Sequence, residues 1–362
     1  MLTRSDDDRA QCDQLTTRDP PAVNPNQNAP PFFALTESRN LAGAVCKHMD
    51  IPLGRVEEQS FEAGEFKLRP GEPVMGRSAL ILQCLAGTPE VPVAERMLRL
   101  LFLLHGLRDA GAERRMVLLP YLTFARQERR TRTGDPVNTR YVAQLLESAG
   151  ADLAMTLDAH DPAALDNSFR IPVVHLTALP IMVDYFATRL SAGSGKIAVV
   201  SPDIGGIKRA QIFRELLESR IGREVDLAFF EKRRSKGVVS GHTLVGEAKD
   251  HTLIVLDDVC VTGHTLVRAA EACHHAGAAA VYAAVTHAPL PAGLATVLQS
   301  AHFNGVVTTD SVGFDPGLPS TGDARKLTVL SIAPVLGQAA WRMLTGRPLT
   351  PLLERWPVAL GD

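Results

Sequence analysis

Cysteine is scarce in this chain, and the five present (Cys12, Cys46, Cys84, Cys260 and Cys273) are odd in number and widely scattered. That usage argues against a disulfide framework and fits free thiols in a reducing cytoplasm. There is no Cys-x-x-Cys pair. The adjacent Cys273-His274-His275 would point in three directions from a helix, which is poor geometry for zinc. Long apolar runs are missing as well. Leu100 to Leu104 and Leu253 to Leu256 fall well short of the roughly 18 residues that span a bilayer. The N-terminus has no apolar signal core, so no membrane partner and a cytoplasmic location are expected. Nor is there an excess of charge of one sign. The formal net charge is −2, which gives no global field for nucleic acid. Any phosphate binding must therefore come from local loops.

What is present is enough apolar material, 45% of 362 residues, for roughly two domains with cores of their own. Residues 1–31 stand apart: they are rich in Asp, Asn, Gln and Pro, and composition predicts a disordered extension. Helical spacing then covers 37–49, 93–109, Thr139 to Ser148, Pro180 to Leu190, Ile207 to Leu217 and Leu266 to Ala276. Short β-rich runs end near Phe61 and cover Ala79 to Gln83, Met116 to Leu119, Leu153 to Leu157, Ile197 to Val200, Val225 to Phe230, Thr252 to Leu256 and Val281 to Val285. The alternation predicts an α/β protein with two similar domains, each a mainly parallel sheet flanked by helices. The expected bounds are 32–176 and 177–325, with a C-terminal helix and tail at 326–362.

The most informative segment runs from Leu253 to Leu266. An apolar strand delivers Asp257 and Asp258 at its carboxyl end, the small loop Val259-Cys260-Val261-Thr262-Gly263 follows, and a helix starts near His264. Ligands of open α/β sheets bind at the carboxyl ends of strands, and loop N–H groups with a helix N-terminus favour an anion. Thr262 and Thr265 add hydroxyl donors, and the two carboxylates suit neighbouring sugar hydroxyls or a cation. Read alone, the segment also fits aspartates that merely cap a helix after a Thr-Gly turn.

This segment resembles the phosphoribosyl pyrophosphate (PRPP) binding motif of the type I phosphoribosyltransferase fold, and five further segments resemble the PRPP synthetase, or ribose-phosphate diphosphokinase, family within it. Pro120 to Arg130 is similar to its ATP signature, with Arg126 and Arg129 offering guanidinium forks to polyphosphate and Gln127 an amide to base or ribose. Thr156 to Asp161 resembles a strand-end Asp-x-His motif whose histidine, here His160, helps hold magnesium. Ser201-Pro202-Asp203-Ile204-Gly205-Gly206 resembles the loop whose aspartate supports ribose 5-phosphate and the metal. Phe229 to Lys236 resembles the catalytic flexible loop, with Lys232 and Arg234 at its two catalytic cations. Phe61-Glu62-Ala63-Gly64-Glu65 resembles an adenine-binding segment reached across a subunit boundary, in which Phe61 stacks on the purine and Glu65 reads its edge.

The resemblance implies ATP and ribose 5-phosphate as substrates, Mg²⁺ as cofactor, transfer of a diphosphoryl group to the anomeric hydroxyl, and a homo-oligomer built from dimers and extending to hexamers. Asp203, Asp257, Asp258, Thr262, Gly263 and Thr265 would bind ribose 5-phosphate; Phe61, Glu65, Arg126, Gln127 and Arg129 would bind ATP; His160 and Asp203 would hold the metal. The chain departs from the pattern at Val261 and Ala63, where the family carries aspartate, and at His264, where glycine is usual. The 262–265 loop by itself also fits a base-specific phosphoribosyltransferase, and these departures leave a catalytically silent regulatory homologue as a second alternative.

Overall fold

The computed structural model describes residues 29–88, 90–191, 193–235, 238–313, 324–350 and 352. All but the last three residues of the extension expected at 1–31 lie outside the described residues, as does most of the end of the chain.

The first half runs β1 Phe32–Ala34, α1 Arg39–Met49, β2 Val56–Ser60, β3 Phe66–Pro70, β4 Ser78–Leu82, α2 Val93–Asp109, β5 Arg114–Leu119, α3 Asn138–Ser148, β6 Leu153–Leu157, α4 Pro162–Ser168 and β7 Val173–Leu176. Strands β1-β4-β5-β6-β7 form a wholly parallel sheet in that order, and β2-β3 is a separate antiparallel hairpin. The second half runs α5 Leu179–Leu190, β8 Lys196–Ser201, α6 Ile207–Ile221, β9 Asp226–Ser235, β10 Val238–Val245, β11 His251–Val259, α7 His264–His275, β12 Ala280–His287, α8 Pro291–Gln299, β13 Gly305–Thr309, β14 Leu327–Leu330 and α9 Ala333–Thr345. Its sheet has the order β10-β9-β8-β11-β12-β13-β14 and is parallel except where β10 folds back on β9. The second sheet thus runs past residue 325, because β14 pairs with β13 from Val306↔Leu327 onward.

Parallel strands are covered on both faces, so their side chains feed two cores at once. Leu80, Leu82, Met116, Leu118, Leu153 and Met155 enter one buried cluster, whereas Ala79, Ile81, Val117, Leu119 and Ala154 enter another. The first cluster does not stop at the domain boundary. It continues through Met182, Phe186 and Phe213 to Ile254, Leu256 and Ala284 of the second sheet. Phe186 is fully buried there, with the rings of Phe213 and Tyr282 edge-on at 6.1 and 6.0 Å. The C-terminal helix α9 returns to α1, with Gly337 against the ring of His48 and Leu336 and Ala339 in the shared cluster. The two domains are therefore cemented by apolar burial in this shared cluster, and each also keeps a buried cluster of its own, as the sequence reading expected.

Residues 229–236 were expected to be a flexible loop, and the described part of that segment is strand in place of loop. Through Ser235 it is β9, hydrogen-bonded to β10 in the register Lys232↔His242 and Arg234↔Val239. Phe230 is buried and anchors the strand in the second core, while Val238, Val239, Leu244 and Val245 supply a β-forming partner. Beyond Phe229, where pairing with β8 ends, this arm is a two-stranded ribbon.

Candidate active site

The carboxyl ends of β5, β6, β8 and β11 carry the Pro120–Arg130, Asp158–His160, Ser201–Gly206 and Asp257–Gly263 segments, the place where open parallel sheets present ligand-binding loops. At the end of β6 the backbone turns at Asp158, which has a φ of 41°. Its buried carboxylate accepts from the hydroxyls of Thr177 and Thr286, both at 2.6 Å, and from the Ala178 N–H at 3.0 Å. His175 Nε2 accepts from the Ala159 N–H at 2.9 Å, and burial pushes the His175 ring below its ordinary pKa, which keeps it a neutral acceptor. Across the domain boundary, burial likewise pushes His287 down. Its Nε2–H donates to the Leu157 carbonyl at 3.0 Å, and its Nδ1 accepts from the Ser311 hydroxyl at 2.8 Å. This polar knot fixes the turn from which His160 projects.

His160 Nδ1 lies 2.7 Å from Asp258 Oδ2, so the first domain's histidine is tied to the second domain's acid pair. The other oxygen of Asp258 faces Arg209 Nη1 at 3.3 Å, and the same nitrogen is 4.0 Å from Asp257 Oδ1. Burial works against the charge on Asp258, yet the hydrogen bond from His160 and the Arg209 guanidinium together hold its carboxyl below the usual carboxylate range. Burial, and then the Asp258 carboxylate beside it, push Asp257 up to about 8. The hydrogen bond to Asp258 outweighs burial at His160 and raises its imidazole above the ordinary value. The pair is thus split: Asp258 is engaged by both His160 and Arg209, and Asp257 has only the more distant face of Arg209.

After Asp258 the loop closes against α8. Gly263 has a φ of 77°, and a Cβ there would meet the Gly293 carbonyl oxygen at 2.5 Å. A Cβ on Gly293 would in turn strike the Val261 carbonyl oxygen. Both glycines are needed for this close approach of two backbones. Thr262 and Thr265 remain exposed beside the first turn of α7. Asp203 caps its own turn, with Oδ1 accepting from the Gly206 N–H at 3.1 Å, and so launches the helix that carries Arg209.

A cavity of about 240 Å³ lies at the carboxyl ends of β5, β6, β11 and β12, and Asp203, Thr262, Gly263 and Thr265 are not in its lining. Its lining includes Tyr121, Phe124, Arg126, Gln127, Thr156, His160, Asp258 and His287. Arg126, Gln127, His160 and Asp258, chosen from sequence, are therefore brought together, and Asp257 joins them through Arg209. Arg129 is not in the lining: it is 81% exposed and faces Glu128 at 3.5 Å. Phe61 and Glu65 sit on the exposed loop of the β2-β3 hairpin, away from the cavity lining, with the Phe61 N–H closing on the Glu65 carbonyl at 2.7 Å. The side chains of Lys232 and Arg234 lie outside what the structure describes.

Residues 31–150 match the N-terminal domain of ribose phosphate pyrophosphokinase, and residues 181–303 match the phosphoribosyl transferase domain. Ribose-phosphate pyrophosphokinase 1 of Streptococcus pneumoniae is 34% identical over 326 residues, which is 89% of this chain and 96% of that protein. The chain belongs to the ribose-phosphate pyrophosphokinase family. It is an enzyme of that class, with two phosphoribosyltransferase-type domains. The ribose-phosphate pyrophosphokinase of Bacillus cereus is 34% identical across 86% of this chain and 93% of its own length. A crystal structure of phosphoribosylpyrophosphate synthetase from Mycobacterium smegmatis aligns with a TM-score of 0.76 at 30% identity, covering 87% of this chain and 99% of that one.

Within this ribose-phosphate pyrophosphokinase, sequence reasoning gave no role to Arg209, Asp158, Thr286 or His287. One signal was available for Arg209. Lys208 and Arg209 open a helix at the end where its dipole disfavours cations, so a carboxylate partner was called for. Thr286 and His287 close a buried strand, and nothing local names their partners 128 and 130 residues away. No helix among the described residues is long and apolar enough to cross a membrane.

Proposed function

We propose that the chain makes PRPP and AMP from ATP and ribose 5-phosphate in the cavity between its two halves. The observation that supports this most is the Asp258 carboxylate, shared by His160 of the first domain and Arg209 of the second at a cavity also lined by Arg126 and Gln127. In this reading that carboxylate ties the segment taken as a nucleotide signature to the strand that leads into the loop taken as the sugar-phosphate seat.

In this reading the 5-phosphate rests on the N–H groups and hydroxyls of the 262–265 loop, and Asp257 orients the ribose hydroxyls. The anomeric oxygen attacks the β-phosphorus of ATP. A new C1–O–P link forms, the bond between the β-phosphorus and the α–β bridging oxygen breaks, and AMP leaves with that oxygen while the hydroxyl proton is released. Such transfers depend on positioning and charge neutralisation, which Arg126 and, from the β9-β10 arm, Lys232 and Arg234 supply.

Among the described residues no group of three or more His, Cys, Asp or Glu is arranged to hold a metal ion. Mg²⁺ commonly binds through one or two protein ligands with the rest from substrate phosphates and water, so a larger protein donor set is not required. His160 and Asp203 would hold it, and bound there it neutralises polyphosphate charge. Phe61 and Glu65, remote from the cavity of their own chain, would serve a neighbouring copy in a dimer-based homo-oligomer, including a hexamer. A cytoplasmic location completes the reading. Incubation with ATP, Mg²⁺ and ribose 5-phosphate, followed by phosphorus NMR, should show AMP and PRPP rising together. ATP hydrolysis without PRPP, or no turnover, would refute it.

A further inference from the structure

Phe124 is the feature that the proposed chemistry leaves unused. It has a φ of 61°, a left-handed conformation that is a genuine outlier for a bulky residue, and it is 43% exposed. An apolar ring is normally buried to offset such strain, and this one instead lines the cavity beside Arg126 and Gln127. Among the described residues its ring stacks on no other aromatic ring.

The strained turn is deliberately held. The Phe124 carbonyl accepts from the buried Thr139 hydroxyl at 3.1 Å and from the Gln127 N–H at 3.1 Å. Asn138 Nδ2 donates to the Gln127 side-chain oxygen, which ties the same turn to the start of α3. Thr139 thus acts as a peg that keeps residue 124 on the cavity wall and the amide of residue 127 beside it. A flat apolar ring next to a guanidinium and an amide is suited to one class of ligand, a planar base attached to polyphosphate.

We propose that Phe124 is a nucleotide-positioning residue, a wall supplied by the same chain against which the base or ribose of the donor nucleoside triphosphate packs, and that Thr139 holds it there. This rests on the nucleotide reading of the cavity. It differs from the role given to Phe61, because no second copy is needed to supply the ring.

The test uses the full chain, with Mg²⁺-ATP binding measured by calorimetry and turnover by phosphorus NMR. Phe124→Gly removes the ring while suiting the left-handed backbone, so it should melt no lower than wild type. It should weaken ATP binding and raise the KM for ATP by about tenfold, the order expected for losing one base–aromatic stack, while the KM for ribose 5-phosphate stays within about twofold. Phe124→Tyr should restore ATP affinity, and Phe124→Leu, which keeps the strain and apolar bulk, should not. Unchanged ATP affinity in Phe124→Gly, or equal changes for both substrates, overturns the proposal. So does wild-type protein that binds no ATP. The binding arm is independent of chemistry: wild-type protein that binds ATP through Phe124 yet makes no PRPP would sink the proposed reaction and leave this inference standing.

Discussion

His160, just past the end of β6, holds Asp258 at the end of β11 through a 2.7 Å contact, and so joins the two domains at the carboxyl ends of their strands. The bond raises the histidine and holds the carboxyl low. A histidine whose folded pKa exceeds its unfolded value adds stability that is complete below the unfolded value of 6.5 and is lost as pH rises through the folded one. Melting temperatures of wild type and His160→Gln should differ most below about pH 6 and converge at higher pH. A difference that does not change with pH would remove the imidazolium from this account.

Asp158 stitches the same boundary from inside, through Thr177 and Thr286. In Thr286→Val a buried carboxylate loses one of its donors and gains nothing in exchange. The expected cost is about 1–3 kcal/mol, read as a lower urea midpoint with an unchanged slope. An unchanged midpoint would mean that water takes the hydroxyl's place.

Gly293 has no room for a side chain because Val261's carbonyl lies against its Cα. Gly293→Ala must therefore push the 261–263 loop away from α8, at a cost of about 1–3 kcal/mol. Since that loop is proposed to seat the 5-phosphate, the KM for ribose 5-phosphate should rise more than the KM for ATP. Steady-state kinetics on both substrates check the asymmetry.

Lys232 lies on β9 in register with His242. If it neutralises the transferring phosphates, Lys232→Ala should lower kcat by about 10³-fold, the low end for a transition-state arginine finger, with ATP binding barely altered. A loss confined to KM would make the ribbon an electrostatic surface only.

Much of the scaffold was legible along the chain. The apolar runs at Leu153 to Leu157 and Leu253 to Leu256 are both strands buried on both faces, and the helical spacing from 93 to 109 matches α2 from end to end. Val225 to Phe230 was read as a strand, but the Lys-Arg-Arg run hid its continuation, because charge obscures a strand whose partner is β10. Short or late elements such as α4, α8 and β14 carry too few residues to show a period.

Local order of residues was enough to say where the backbone turns from strand to loop to helix, since sterics and side-chain period act within a few positions, and motif resemblance was enough to say which loops matter. Only the fold could decide that Asp258 belongs to His160 and Arg209 while Asp257 stays underpaired, and that Phe124 stands strained on the cavity wall. Those outcomes depend on distances between side chains as far as 98 residues apart, and on how deeply packing removes each from water. Neither quantity is written in any short stretch of chain.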